Sequence, residues 1–242
     1  MMLKESILSI EILRSILIRI LDIFISSIAL IFLSPLFILI SLILLFTGEG
    51  EILYLQKRIG KNGKIFNLYK FATMLKDSPM KGAGELTEKN DPRVLPVGKY
   101  LRKSKINELP QLLNILLGQM SVVGPRPQTE IYFSLYSKNV KKNIIKVKPG
   151  LTGVGSVVFR DEESLFDLAE DPHIFDRNIL VPYKGELEIW FSKNISVFLY
   201  FKLIFLTAYV LFFPSKRYTF SLLRDLPKPP KEIDIMIKKL SK

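Results

Sequence analysis

The run from Asn90 to Pro127, NDPRVLPVGKYLRKSKINELPQLLNILLGQMSVVGPRP, mixes carboxylates and cations with turn-forming residues in a way that core packing does not require. It holds Asp91, Arg93, Lys99, Arg102, Lys103, Lys105, Glu108 and Arg126, with Pro92, Pro110, Pro125 and Pro127 restricting the backbone between them. Guanidinium groups grip phosphate oxygens through paired hydrogen bonds, and a carboxylate can hold a divalent cation or attack phosphorus. The composition therefore points to a phosphorylated substrate. Arg126 stands between two prolines, which hold one guanidinium on a rigid turn and remove competing backbone donors. His173 is the one histidine and cysteine is absent, so multi-histidine metal sites, thiolate chemistry and disulfides are excluded.

The elements that must position these groups follow from pattern. ILYLQKRIG and KIFNLYKF alternate as short strands joined by a turn at Gly60 to Gly63. Val97 to Lys103 is predicted helical, and Asn107 is placed to cap a helix running to Leu117, with Pro110 in its first turn and Gly118 ending it. Leu109, Leu112, Leu113 and Leu116 would form its buried stripe, and Glu108 would sit in its first turn. Met120 to Val123 is predicted as a buried strand delivering the Gly-Pro-Arg-Pro turn. Thr129 to Asn143 is predicted as one helix, followed by a Pro149-Gly150 turn and an extended glycine-rich segment. Ser78 to Asn90 is predicted to be an exposed loop.

From Ile23 to Phe46 no side chain is charged. As helix this stretch reaches about 36 Å, against about 30 Å of hydrocarbon, and it is too long for the apolar core of a signal peptide. Ser34 and Pro35 bisect it: proline removes a backbone donor and the serine hydroxyl can satisfy the freed carbonyl, so a bend is expected there. Composition alone suits a kinked spanning helix. Basic residues flank both sides, however, with Lys4, Arg14 and Arg19 before it and Lys57, Arg58, Lys61 and Lys64 after it, which favours both ends on the cytoplasmic face. The formal charge is +12, from 35 Lys plus Arg against 23 Asp plus Glu, and no nucleic-acid-binding motif accompanies it. Anionic lipids of an inner membrane are the simpler counter-charge. Leu203 to Phe213 is too short to span, so the aromatic-rich region around it is expected to be an interfacial helix, and the basic tail from Pro227 to lie on the membrane or be disordered.

These motifs resemble the bacterial sugar transferase family, the monotopic phosphoglycosyl transferases, whose members show runs like DPR, LRK, DELPQL and MSLVGPRP. The likeness extends to QKRIGKNGKIFNLYKFATM (Gln56 to Met74) and to VKPGLTGVGS (Val147 to Ser156). The resemblance implies the same re-entrant anchor, broken at Ser34 and Pro35, and with the patterns above it divides the chain into that anchor over 1–50, a membrane-associated α/β catalytic domain over 51–190, and an interfacial amphipathic helix with a basic tail over 191–242. It implies transfer of a sugar phosphate from a UDP-sugar to polyprenyl phosphate, with Mg²⁺ neutralising the pyrophosphate, as the first membrane step that supplies downstream glycosyltransferases.

In that family the Asp and Glu of DELPQL form the catalytic dyad. The Glu corresponds to Glu108, a catalytic and metal-binding candidate, whereas Asn107 replaces the nucleophilic Asp. Glu108 could attack in its place, the lipid phosphate could attack directly, or the chain could be an inactive scaffold for other glycan enzymes. Arg126, Arg102, Lys103 and Lys70 are the implied substrate-binding cations, and Asp91 and Arg93 of the DPR turn join them or pair with each other. Ala72 stands where the family has Arg, and Arg160, Asp161 and Glu162 occupy the segment expected to shape a sugar pocket.

Overall fold

Helix α1 runs from Met2 to Thr47 in the computed structural model, which describes residues 2–76, 78, 91–160, 162–213, 222–223 and 225–240. Its Leu8–Thr47 part is the one described helix long and apolar enough to cross a membrane. Pro35 lies inside the helix, and the Ser34 hydroxyl donates to the Ile31 carbonyl at 2.8 Å. That carbonyl is the one Pro35 leaves without its usual amide partner, so the serine makes the predicted repair.

Strands β1 (Leu53–Ile59) and β2 (Ile65–Phe71) form an antiparallel hairpin, with Tyr54 opposite Lys70 and Gln56 opposite Leu68. Asn62 (φ 59°) and Gly63 (φ 74°) take the left-handed turn conformations that an Asn-Gly pair accepts at least cost. Helix α2 (Pro96–Lys103) and a 3-10 turn at Ile106–Glu108 lead to α3 (Gln111–Leu116), which ends at Gly118 with φ 80°. Strand β3 (Ser121–Val123) pairs in parallel with β4 (Gly150–Thr152) across a connection holding α4 (Glu130–Leu135) and α5 (Lys138–Ile144). Then come α6 (Val154–Val158), α7 (Glu163–Phe166), α8 (Pro172–Phe175), a π turn at Asp176–Leu180, α9 (Val181–Asn194), α10 (Val197–Phe212) and α11 (Lys231–Leu240).

The α/β expectation holds only in small: the described sheets are two-stranded and helices supply most of the core. Four local expectations change. The helix predicted over Thr129 to Asn143 is two helices, because Thr129 caps α4 and Ser137 caps α5, with Tyr136 extended between them. The buried stripe of α3 is Leu112 and Ile115 with Gln111 and Asn114, while Leu116 is 37% exposed. The segment after Gly150 is extended only through Thr152, then turns helical as α6. The basic tail folds as α11, which buries Ile233 and Ile237 in the same core as Ile18 of α1, Leu187 of α9 and Leu203 of α10. Of the predicted Ser78 to Asn90 loop, only Ser78 lies within the described residues.

Asp22, an acid inside the apolar helix, is 1% exposed and ties α1 to the rest. Its Oδ1 accepts from the Ser121 hydroxyl, the Val122 amide and the Tyr200 hydroxyl, each at 2.9 Å. One oxygen thus joins α1, β3 and α10. Beyond Pro35, the same helix returns to the domain through Phe37, whose ring lies 5.3 Å from that of Phe71, and through Ile40 and Leu44 beside Leu101. Ile31 and Phe32, between these two contacts, are 72% and 80% exposed.

Candidate active site

Glu108 closes the 3-10 turn, which Lys105 enters with φ 60°. The Arg126 guanidinium, carried by the turn after β3, donates to Glu108 Oε1 at 3.2 Å. The carboxylate is largely covered at 15% exposure, while the arginine side chain remains 49% exposed. Burial disfavours the Glu108 charge, but Arg126, Lys70 and Lys105 outweigh it and hold the carboxyl down at about 2. Lys70, on β2, is pushed down to about 7, first by burial and then by the cations Arg58, Arg126 and Arg102, against the pull of Glu108. One carboxylate thus faces several cations. That surplus of positive charge favours a polyanion.

Gly150 of β4 and Gly153, which precedes α6, fix the Arg126 turn. A Cβ on Gly150 would lie 2.0 Å from Gly124 N, and one on Gly153 would lie 2.1 Å from Gly124 O, so the two chains approach as closely as only glycine permits. The Gly150 amide then donates to Pro125 O at 2.8 Å.

Asn107 does not cap a helix. Pro110 occupies the cap position of α3, no side chain accepts there, and the left-handed Lys105 turns the chain so that Asn107 points inward at 6% exposure. Its Oδ1 is buried with no hydrogen-bond partner among the described residues.

The other sequence candidates separate. Arg102 reaches the neighbourhood, with Nη1 3.6 Å from Met74 Sδ, and acts on both Lys70 and Asp91. Lys103 is exposed and not among the charges acting on Glu108, whereas Lys105 is. Asp91 and Arg93 are 6% and 5% exposed, and the guanidinium donates to both carboxylate oxygens, at 2.9 Å from Nε and 2.6 Å from Nη2, and to the Ser78 carbonyl. These two staple the DPR turn to itself instead of presenting charge to a substrate. Ser34 and Pro35 are in α1, remote in sequence from this cluster.

Behind Arg126 lies a second group of acids that the motifs do not announce. Glu188 of α9 is 3% exposed, and one oxygen, Oε2, has no partner. Burial pushes its carboxyl up to about 8, against the opposing pull of the Arg126 backbone amide, Lys184 and the Arg126 side chain. Glu162 pairs with Lys184 and also feels Arg126; Asp161 lies outside the described residues. Tyr136, 6% exposed, accepts from Gln128 Nε2 at 3.3 Å, and Tyr132 donates to Asp176 at 3.0 Å. The available signal for Glu188 was its place on the face formed by Tyr183, Leu187 and Phe191, where an acid needs a reason.

Among the described residues no cluster of three or more His, Cys, Asp and Glu side chains could hold a metal. Mg²⁺ commonly takes one or two carboxylates and completes its shell with substrate phosphates and water. Glu108 and the orphaned Oδ1 of Asn107 supply oxygens that fit such a partial site.

The comparisons with known proteins agree with this chemistry. The profile of the family described as "Bacterial sugar transferase" matches residues 13–214. The UDP-glucose:undecaprenyl-phosphate glucose-1-phosphate transferase of Klebsiella pneumoniae is 33% identical over 205 residues, covering 83% of this chain and 41% of the relative. The exopolysaccharide production protein ExoY of Rhizobium meliloti (strain 1021) is 40% identical over 161 residues, 59% of this chain and 69% of the relative. An Aeromonas hydrophila protein named UDP-N-acetylgalactosamine-undecaprenyl-phosphate N-acetylgalactosaminephosphotransferase is 32% identical over 188 residues, 77% of this chain and 41% of the relative. The chain therefore spans less than half the length of two of these three relatives. With a profile covering most of its length and a cation-ringed carboxylate where the shared motifs meet, the chain belongs to the bacterial sugar transferase family.

Proposed function

We propose that this protein transfers a sugar phosphate from a UDP-sugar to undecaprenyl phosphate, releasing UMP, as the initiating step of an exopolysaccharide, capsule or related surface glycan. The carrying observation is a largely covered, ionised carboxylate, Glu108, set against Arg126, Lys70 and Lys105. The relatives' names supply the donor and acceptor classes and give the scaffold reading no support. The cations bind the diphosphate, with Arg126 gripping it from its rigid turn. In the step we assign to Glu108, a carboxylate oxygen bonds to the β-phosphorus while the bond from that phosphorus to the bridging oxygen breaks, and UMP leaves with the electron pair. An oxygen of the acceptor phosphate then attacks the same phosphorus, and Glu108 departs as the carboxylate. Glu108 and Asn107 Oδ1 would be the residues to hold Mg²⁺, which would supply charge neutralisation for the diphosphate.

The same reading places the domain on the cytoplasmic face of the inner membrane, with α1 as a re-entrant anchor and α10 at the interface. Contacts of α1 with one domain both before and after the exposed Ile31 and Phe32 support this, since a spanning helix would carry one of those contacts to the far side. Phe198, Phe201 and Phe205 leave an apolar face of α10 exposed opposite its core-facing Leu199, Leu203 and Leu206. The test of the activity is UMP release from a panel of UDP-sugars by the full chain in lipid with Mg²⁺ and polyprenyl phosphate. One donor should release UMP continuously when the acceptor lipid is present, and only a single turnover of UMP without it. Absence of UMP with every donor overturns the proposal.

A further inference from the structure

Away from the catalytic cluster, two cations meet at the end of α3, about one turn before the uncharged stretch of α1. Arg19 Nη1 donates to Ile115 O at 2.6 Å and Nη2 to Leu116 O at 2.8 Å, so the guanidinium is held rigidly on the helix's terminal carbonyls with donors to spare. Around it on α1, Ile16, Ile20 and Ile23 are 50%, 57% and 41% exposed, and Leu117, one residue beyond α3, is 63% exposed. These are lipid-facing positions on a membrane segment. Lys148 approaches from the turn before β4: a Cβ on Gly118 would lie 3.3 Å from Arg19 Nη2 and 3.7 Å from Lys148 Nζ.

Lys148 is half-buried, and among the described residues no hydrogen bond or ion pair engages its ammonium. Burial pushes that ammonium below its ordinary value, Arg19 and Lys61 push further, and only Asp22 opposes. Asp22 is itself committed to three donors on β3 and α10. The two cations therefore share a shortage of anion at the border between polar surface and lipid-facing surface.

We propose that Arg19 and Lys148 form a binding site for the phosphate group of a membrane lipid, seated at headgroup level beside α1. The fixed guanidinium supplies paired donors and the lysine a second charge, while Leu117 and the isoleucines of α1 receive the lipid chain. The site goes beyond the transferase reading, and binding alone tests it, without donor sugar or turnover.

Native mass spectrometry of the full chain from detergent, supplied in turn with phosphatidylglycerol, polyprenyl phosphate, phosphatidylcholine and inorganic phosphate, tests the site. One or both of the anionic lipids should be retained over phosphatidylcholine, and inorganic phosphate should not displace them. Preference between the two assigns the phosphate to a bulk headgroup or to an isoprenoid. Lys148→Gln should weaken that retention about fivefold, and Lys148→Arg should restore it. Lys148 is the better probe, because Arg19 also caps α3. Equal retention of phosphatidylcholine, displacement by inorganic phosphate, or unchanged retention in a folded Lys148→Gln protein would each overturn the site.

Discussion

Glu108 and Arg126 form the pair on which the residue-scale account turns, and their chemistry predicts different responses to substitution. Arg126→Lys keeps the charge but loses the planar fork, so turnover should fall by about 100-fold, as when one preorganised donor is lost, measured as UMP release. Glu188 makes a separate prediction through pH. Its carboxyl is raised from 4.5 to about 8 in the folded protein, so the fold binds its proton more tightly than the unfolded chain does. Its contribution to stability is complete below 4.5 and is lost as pH climbs toward 8. Lys70, lowered from 10.5 to about 7, acts with the opposite sign in its own window, stability rising from 7 to 10.5. Glu188→Gln, neutral throughout, should therefore match the parent's melting temperature at pH 4 and exceed it by roughly 5 °C at pH 8. Equal melting temperatures at pH 8 would remove the buried-acid account. The motif residues were legible because their types and order are peculiar, but their order did not announce that Glu108 and Arg126 pair, which follows from the fold. Asn107 was misplaced because helix-cap preference is local, whereas the left-handed Lys105 and the Pro110 cap position decide which way it points. Glu188 was missed because it shares its helix with Lys184, Glu186 and Lys193 and so reads as one more solvated charge.

Among the elements, α1 carries the predictions that sequence pattern best supports. All three donors to Asp22 converge on Oδ1, so Asp22→Asn preserves the acceptor, while Asp22→Ala leaves three buried donors unpaired. The alanine variant should lose about 3 kcal/mol or more in a chemical or thermal melt, and the asparagine variant far less. The anchor makes a topological prediction. Lys4→Cys and Lys57→Cys, introduced singly into this cysteine-free chain, should be labelled from the same side of sealed vesicles, and labelling from opposite sides would sink the re-entrant reading. The hairpin β1–β2 was readable because alternation and Asn-Gly agree. The split between α4 and α5 was not, because Ser137 interrupts a helical periodicity that continues across it. The tail misled for a related reason: its basic composition dominates the sequence, but Ile233 and Ile237, one helical turn apart, bury themselves in the core.

As a whole molecule the protein joins a membrane segment to a small helical domain, and one hydrophobic core links Ile18 of α1, Leu187 of α9, Leu203 of α10 and Ile233 of α11. Sequence divides these regions by composition, but burial unites them, since each presents an apolar face that no other surface covers. That union puts the cation-ringed carboxylate on the domain that packs against α1, an arrangement in keeping with the proposed transfer to a lipid acceptor. The most direct test is to incubate the full chain in lipid with Mg²⁺ and its UDP-sugar, omit the acceptor, and map covalent adducts by mass spectrometry. The account predicts a phosphosugar on Glu108, one equivalent of UMP, discharge of the adduct by polyprenyl phosphate, and loss of both signals in Glu108→Gln. Undiminished UMP formation by a folded Glu108→Gln protein would contradict it.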